Sequence, residues 1–310
     1  MKRITKSEVF YAMYIRENVY ALIFENEFKI IEIKSGHELF TSPKIRNINN
    51  VIPLSENLLF CVNTTGKSRL LDMSTGKTIK SINLGPELYN QHFALFPDRL
   101  WYLNKDWRIC SLNLKSYARK IINPEECFGF YDCGNEVYFV FYDKFARNAV
   151  ESKMRITRFS KERDTFDDWV IHLPEGCVDS FLKIDENRAV MVMNHTYKMG
   201  AKDAIYIVDL SKRYFKKIVG EKDTNAIFVK VAVYLNKEII FYAAENENKM
   251  IVFDMGSSKA VAKYFFNAKI NDIKINSDTD LIICTDAGAY VFELESFLKT
   301  EETYWKYIEL

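Results

Sequence analysis

The six cysteines of this chain include no Cys-x-x-Cys pair. That absence excludes a zinc-ribbon or thioredoxin-like reading of the thiols. Cys61, Cys110 and Cys284 stand inside apolar, strand-like runs, where a buried free thiol is the ordinary role. Charge of one sign is missing too: 43 Lys plus Arg face 42 Asp plus Glu, a formal net charge of +1. Such a balance gives no electrostatic case for nucleic acid or an anionic membrane as the main partner. No apolar stretch approaches the ~18 residues of a membrane span. The opening "MKRITKSEVFYAMYI" has basic residues but neither an apolar h-region nor a small-residue cleavage site. A soluble chain in a reducing, cytoplasmic setting is the expectation. "TTGKS" (64–68) lacks the first glycine of a phosphate loop, and no Gly-x-Ser-x-Gly elbow occurs. No run has the length and 3.6-residue period of a solid helix; "ESFLKTEETYWKYIEL" (295–310) is the one ambiguous segment.

What is present is a repeat. The residues are 48% hydrophobic and 15% aromatic, enough for a sizeable core. "RLLDMSTGKTIKSI" (69–82) can be laid beside "KIIEIKSGHELF" (29–40), "ICSLNLKSYARKII" (109–122) and "RITRFSKERDTF" (155–166). "IYIVDLSKRYFKKI" (205–218), "MIVFDMGSSKAVAKYF" (250–265) and "AYVFELESFLKT" (289–300) continue the series. Each has an apolar strand, a polar residue, a last apolar residue, a short turn and a resumed strand. Glu32, Asp72, Asn113, Arg158, Asp209, Asp254 and Glu293 occupy the aligned polar position. They recur about every 40–50 residues, the period of propeller blades. Compact runs such as "VYALIF" (19–24) and "RAVMVM" (188–193) precede the segments and read as strands covered on both faces. The expectation is therefore all-β: one seven-bladed β-propeller of about four antiparallel strands per blade. Its blades fall near 8–42, 45–84, 89–123, 127–173, 177–219, 226–266 and 269–309. "YWKYIEL" (304–310) would supply the last outer strand, or "KRITKS" (2–7) would pair there instead. The recurring acid reads as a turn-fixing acceptor for backbone N–H groups, with Gly36, Gly76 and Gly256 supplying positive φ.

"LLDMSTGKTI", and more loosely "YIVDLSKRYFKK" and "VFDMGSSKAV", resemble the seven-bladed propellers of the quinoprotein-like and YVTN (lactonase-like) group. In those families a strand ends in Leu-Asp, followed by a Thr-Gly-Lys turn and an outer strand. The periodicity covers nearly the whole chain, but the second blade alone matches well. The tryptophan that recurs in quinoprotein blades is missing, since the four Trp stand at 101, 107, 169 and 305. No cofactor is therefore implied. WD-repeat dipeptides are absent from the blade positions.

Two long connections, "DKFARNAVES" (143–152) and "HTYKMGAKD" (195–203), belong to the fourth and fifth blades and share an end with "GEKDTNA" (220–226). Long loops on a rigid scaffold mark the working face. Lys144, Arg147, Lys153, His195, Tyr197, Lys198 and Lys202 would give it a cationic, aromatic lip. That lip suits an acidic peptide or a small anionic ligand. Aligning "HFALF" (92–96), "CFGFY" (127–131) and "CVDSF" (177–181) brings His92, Cys127 and Cys177 to one position on three blades. Their donor types suit zinc or copper, against ordinary packing as the more frequent role. The leading function is a protein- or peptide-binding scaffold using the long-loop face at blades four to six. The rival is a lactonase-like hydrolase or lyase acting on a small anionic or sugar-derived substrate, with His92, Cys127, Asp179 and His195 as the groups to test. A purely structural subunit is the third class, marked by large exposed apolar patches.

Overall fold

A computed structural model describes residues 1–85, 92–123, 125–144, 153–174, 176–194, 204–219, 229–244, 247–299 and 305–310. Strand follows antiparallel strand almost throughout. Five separate four-stranded sheets form in chain order, and we call them blades one to five. Blade one runs from Tyr11–Arg16 to His37–Thr41, and blade two from Ile48–Ser55 to Thr78–Asn83. Blade three spans Phe93–Leu95 to Arg119–Asn123, blade four Cys127–Cys133 to Thr165–His172, and blade five Cys177–Lys183 to Tyr214–Val219. Burial explains the residue types. The second strand of blade one, Val19–Ile23, is buried at every position, so it is a continuous apolar run. The fourth strand of blade two, Thr78–Asn83, is exposed at nearly every position and carries polar residues.

Among the described residues five separate four-stranded blades form, not seven. The segments expected to form blades six and seven are joined in one eight-stranded sheet. The join is the strand Lys259–Asn276, which pairs with Glu247–Asp254 in its first part and with Asp280–Thr285 in its last. No Gly or Pro interrupts "YFFNAKINDIKIN" (264–276), and Tyr264, Phe266, Ala268 and Ile270 are buried in alternation. An unbroken period of two passes from one ladder to the next without a turn.

The chain ends are also rearranged. Lys2–Arg3 pairs with the strand Gly288–Glu293, so the N-terminal segment completes that side of the sheet. "YWKYIEL" does not. After Glu293 the chain turns into a five-residue helix, Leu294–Leu298, whose Leu294 and Phe297 enter the core. Ser296 Oγ donates to Glu293 Oε2 (2.6 Å) at the start of that helix. Trp305–Ile308 then pairs in parallel with Lys263–Phe266.

The chain divides into two compact units, Ile82–Ile227 and Met1–Ser81 with Phe228–Leu310. In the first, Trp101, Phe139 and Phe159 fill the space between blades three and four, and Tyr138, Trp169, Phe181 and Met191 that between blades four and five. In the second, Ala21, Ile30, Val51 and Leu59 join blades one and two, while Tyr20, Leu22, Ile282 and Val291 join blade one to the eight-stranded sheet. Side chains also tie the first strands of neighbouring sheets. The amide of Leu95 donates to Asp132 Oδ2 (3.0 Å), and Tyr131 Oη to the carbonyl of Val178 (3.0 Å). In the other unit the amide of Ala12 donates to Asp272 Oδ2 (3.1 Å).

The recurring polar residue fixes turns. Asp72 Oδ1 accepts from the Ser74 amide (2.8 Å) and hydroxyl (2.6 Å), and Asn113 Oδ1 from the amides of Lys115 (3.0 Å) and Ser116 (2.7 Å). The Lys212 amide and the Ser211 hydroxyl hold the Asp209 carboxyl down at about 2. Gly36 and Gly76 have positive φ, as expected, but Gly256 does not; Ser258 takes that conformation at φ 54°. Arg158 departs from the series, pairing instead with Asp167 (2.8 Å) and Glu136 (3.3 Å).

Candidate functional site

One end of blades three to five collects the polar and aromatic groups of interest. It is the end where the first strands of blades four and five begin, at Cys127 and Cys177, and where the second and third strands of blade four meet their long connection, at Lys144 and Lys153. Blade four reaches furthest here, because its second and third strands are nine and eight residues long. Residues 145–152, 195–203 and 220–226 lie outside the described residues, and with them Arg147, His195, Tyr197 and Lys198. Lys144 ends its strand opposite Lys153. Asp179 is exposed on the first strand of blade five.

His92 precedes the first strand of blade three. Its Nδ1 lies 2.7 Å from the carbonyl oxygen of Phe130, and its ring meets Tyr131 edge-on at 5.2 Å. The ring fills the place a side chain at 129 would take: a Cβ on Gly129 would sit 2.8 Å from His92 Nε2. Burial pushes the imidazole down to about 4, against the hydrogen bond to Phe130, which acts upward. Cys127 donates its thiol to the carbonyl of Gly129 (3.1 Å), and Cys177 packs into the apolar core between blades four and five. Burial raises both thiols, that of Cys177 to about 11, so neither is a thiolate at neutral pH. Among the described residues no group of three or more His, Cys, Asp or Glu is placed to hold a metal ion. His92, Cys127 and Cys177 are thus not drawn together; His92 and Cys127 are each engaged with a backbone carbonyl, and Cys177 is packed in the core.

The pH dependence follows from His92. Its folded value lies below the usual 6.5, so the unfolded chain takes up the proton first as pH falls. The associated stability is fully present above about 6.5 and lost by about 4. At most about 3 kcal/mol is involved. Urea unfolding of wild type and His92→Asn across that window measures it: the variant should show a shallower acid loss, the carboxylates being common to both.

Two further features at this end escape sequence reading. Trp107, in the turn between the second and third strands of blade three, has φ 59°, a left-handed conformation rare for a bulky residue. Its indole stacks on Phe128 (5.8 Å, 7° between planes), and Phe128 meets Tyr142 edge-on at 6.0 Å. All three rings are partly exposed. Beside them runs a polar chain. Arg155 pairs with Glu125 and with Asp143 (2.9 Å), and His172 Nδ1 lies 2.6 Å from Asp143 Oδ2. Although burial acts upward, the hydrogen bonds from Arg155 and His172 hold the Asp143 carboxyl below the usual carboxylate range. The arrangement offers flat apolar faces for stacking and fixed donors beside them. The signal in the sequence was a lone Trp in a turn. Its partners stand 21 and 35 residues away in the next blade.

No family model and no curated protein sequence matches the chain. Solved structures do. The Cps50 (Swd1) beta-propeller domain of Myceliophteria thermophila superposes with a TM-score of 0.68 at 10% identity, covering 94% of this chain and 99% of that one. The fold is a β-propeller. Hydrazine synthase of Kuenenia stuttgartiensis is similar to the same degree, with a TM-score of 0.68 at 7% identity over 92% of this chain and 95% of that chain. At such identities the likeness carries the propeller fold alone. The narrower quinoprotein-like or YVTN resemblance rests on the second-blade motif alone. No described helix of this propeller is long and apolar enough to cross a membrane.

Proposed function

We propose that this propeller is a protein- or peptide-binding module, and that it recognises its partner with the end of blades three to five, where Trp107 stands and from which the long connections of blades four and five leave. The observation that carries the reading is the Trp107–Phe128–Tyr142 ladder beside the Glu125–Arg155–Asp143–His172 chain. A half-exposed aromatic row next to oriented charges is the composition of binding hot spots. Left-handed backbone at a tryptophan is strained, and such strain collects at functional positions. Cationic connections at the same end would favour an acidic segment, with a small anionic ligand as the lesser alternative. The hydrolase or lyase reading is weaker in acid–base terms. His92 is engaged through Nδ1 and resists protonation, and the Cys127 thiol is held protonated.

Trp107→Gly tests the proposal. Glycine relieves the left-handed backbone, a gain of about 1 kcal/mol that offsets the lost stack on Phe128. Stability should therefore stay within about 1 kcal/mol of wild type while proteins captured from the native host fall at least tenfold, a loss of about 1.4 kcal/mol or more in binding. Equal capture by wild type and variant would contradict the reading.

A further inference from the structure

Blade three breaks the repeat at one buried position. Two residues before the recurring polar residue the other segments carry Ile30, Leu70, Ile156, Ile207, Val252 and Val291, and blade three carries Ser111. Ser111 is 3% exposed and stands in the third strand of its blade, opposite Trp101 of the second. A large aromatic neighbour does not require a small residue there, since Phe60 stands opposite Leu70 and Phe241 opposite Val252. Ser111 lines a cavity of about 530 Å³ between the outer strands of blades three and four. Sites for small molecules span about 300–1,000 Å³.

Most of the lining surface of blade four is aromatic. Phe159 meets Trp101 at 4.7 Å and 62°, and Phe166 at 5.1 Å and 78°. This edge-to-face series ends at Phe166, which lines the cavity and is 41% exposed. A flat ring beside Phe166 would be its next member. Ile109 and Ile122 line the blade-three side. Among them stands Ser111 Oγ, which makes no hydrogen bond among the described residues. A buried hydroxyl without a partner costs free energy that a polar ligand atom would recover. Polar atoms are left over elsewhere at this contact: the indole N–H of Trp101 and the hydroxyl of Thr157, two residues before Phe159, are buried without partners.

Charge favours a neutral ligand. Arg99 pairs with Asp98 (3.3 Å) and with Asp164, and Lys120 balances the remaining negative charge of that trio. Arg119 is the strand neighbour of Lys120 and faces the other way, donating to the carbonyl of Asn83 (2.6 Å). An ion of either sign finds no net opposite charge in the lining to offset its desolvation.

We infer that this cavity binds a neutral aromatic molecule carrying a carboxamide. The ring continues the Trp101–Phe159–Phe166 series, and the amide meets the Ser111 hydroxyl, which both donates and accepts. Trp107, Phe128 and Tyr142 do not line the cavity, so either site can fail without the other.

The probes are 2-naphthamide, the anion 2-naphthoate and the cation 2-naphthylmethylammonium. They are titrated into the intact protein, labelled with nitrogen-15 at its four tryptophans. The expected result is binding of the amide at least tenfold tighter than either ion, with a shift of the Trp101 indole resonance, assigned through Trp101→Phe. Ser111→Val restores the residue type of the other segments and should weaken the amide at least tenfold by filling the cavity and removing the hydroxyl. Ser111→Ala keeps the space and should weaken it about threefold or more, the share of one hydrogen bond. Ala118→Trp, at an exposed position lining the cavity, should block it from the rim without touching the core. The other three indole resonances report that each variant is folded. Equal affinity of the three probes, no binding of any, or an amide affinity unchanged by Ser111→Val and Ala118→Trp would overturn the inference. A shift confined to the Trp107 resonance would assign the probes to the ladder and equally overturn it.

Discussion

Gly288→Ala is expected to cost about 3 kcal/mol or more, by adding steric overlap to backbone strain. Gly288 has φ +145°, a conformation that side chains disfavour, and a Cβ there would run into the carbonyl oxygen of Thr5. That contact belongs to the N-terminal segment that completes the eight-stranded sheet. The amide of Ile4 donates to the carbonyl of Ala289 (2.8 Å), Arg3 Nη2 to that of Ala287 (2.5 Å), and Arg3 lies over the Tyr290 ring at 5.4 Å. Alanine at 288 must push the segment off or twist its own backbone. The sheet is left with an uncovered edge in the first case, a template for aggregation. Denaturant unfolding checks the size of the loss. The cause is checked by repeating it in a chain lacking residues 1–6, where only the backbone part should remain. An equal loss in both chains would assign the whole effect to φ and none to Thr5.

Asp272→Ala is expected to be as damaging, at about 3–5 kcal/mol. The carboxylate is buried where the long strand of the eight-stranded sheet passes the first strand of blade one. Oδ2 accepts from the amide of Ala12 (3.1 Å), and Oδ1 from the amide of Ile273 (2.9 Å) and from Lys274 Nζ (3.1 Å). Ala12 and Ile273 are themselves buried, so alanine at 272 leaves two amides without these acceptors and without water. Asp272→Asn keeps one acceptor and should cost roughly half. Lys274→Ala separates the causes. Its side chain is 41% exposed, so its loss should cost less than about 1 kcal/mol. If Lys274→Ala matched Asp272→Ala in denaturant unfolding, the ion pair within the long strand and not the amides would account for the loss.

Much of the architecture is legible in the residues because each blade repeats one local problem. A strand covered on both faces must be apolar throughout, and a tight turn must satisfy its own amides. "VYALIF" and "LLDMSTGK" state those two conditions, and the structure meets them with a fully buried strand and with Asp72 capping its turn. The errors lie where local and long-range determinants compete. "NAKIN" (267–271) carries no turn signal, and the repeat suggested a break that the backbone had no reason to make. Gly256 stands in a turn, yet Ser258 takes the left-handed position, since which turn residue does so depends on the ladder on either side. The fate of "YWKYIEL" was hidden because burial of Leu294 and Phe297 bends the chain before it can pair as expected. The site was least legible. Aligning His92, Cys127 and Cys177 sets Cys127 and Cys177 at the starts of strands and His92 just before one, but does not say where their side chains turn, which Gly129 and the Phe130 carbonyl decide for His92. The ladder joins a turn of blade three to two strands of blade four, which no repeat pattern encodes.

The central claim is that the ladder end of blades three to five is the surface that recognises a partner. The most direct measurement is photo-cross-linking in the native host with benzoylphenylalanine at position 107 and, separately, at position 214 on the exposed outer strand of blade five, where Tyr214 is 61% exposed. The account predicts a discrete adduct with a second protein from position 107 and none from position 214. Adducts from 214 and not from 107 would contradict it.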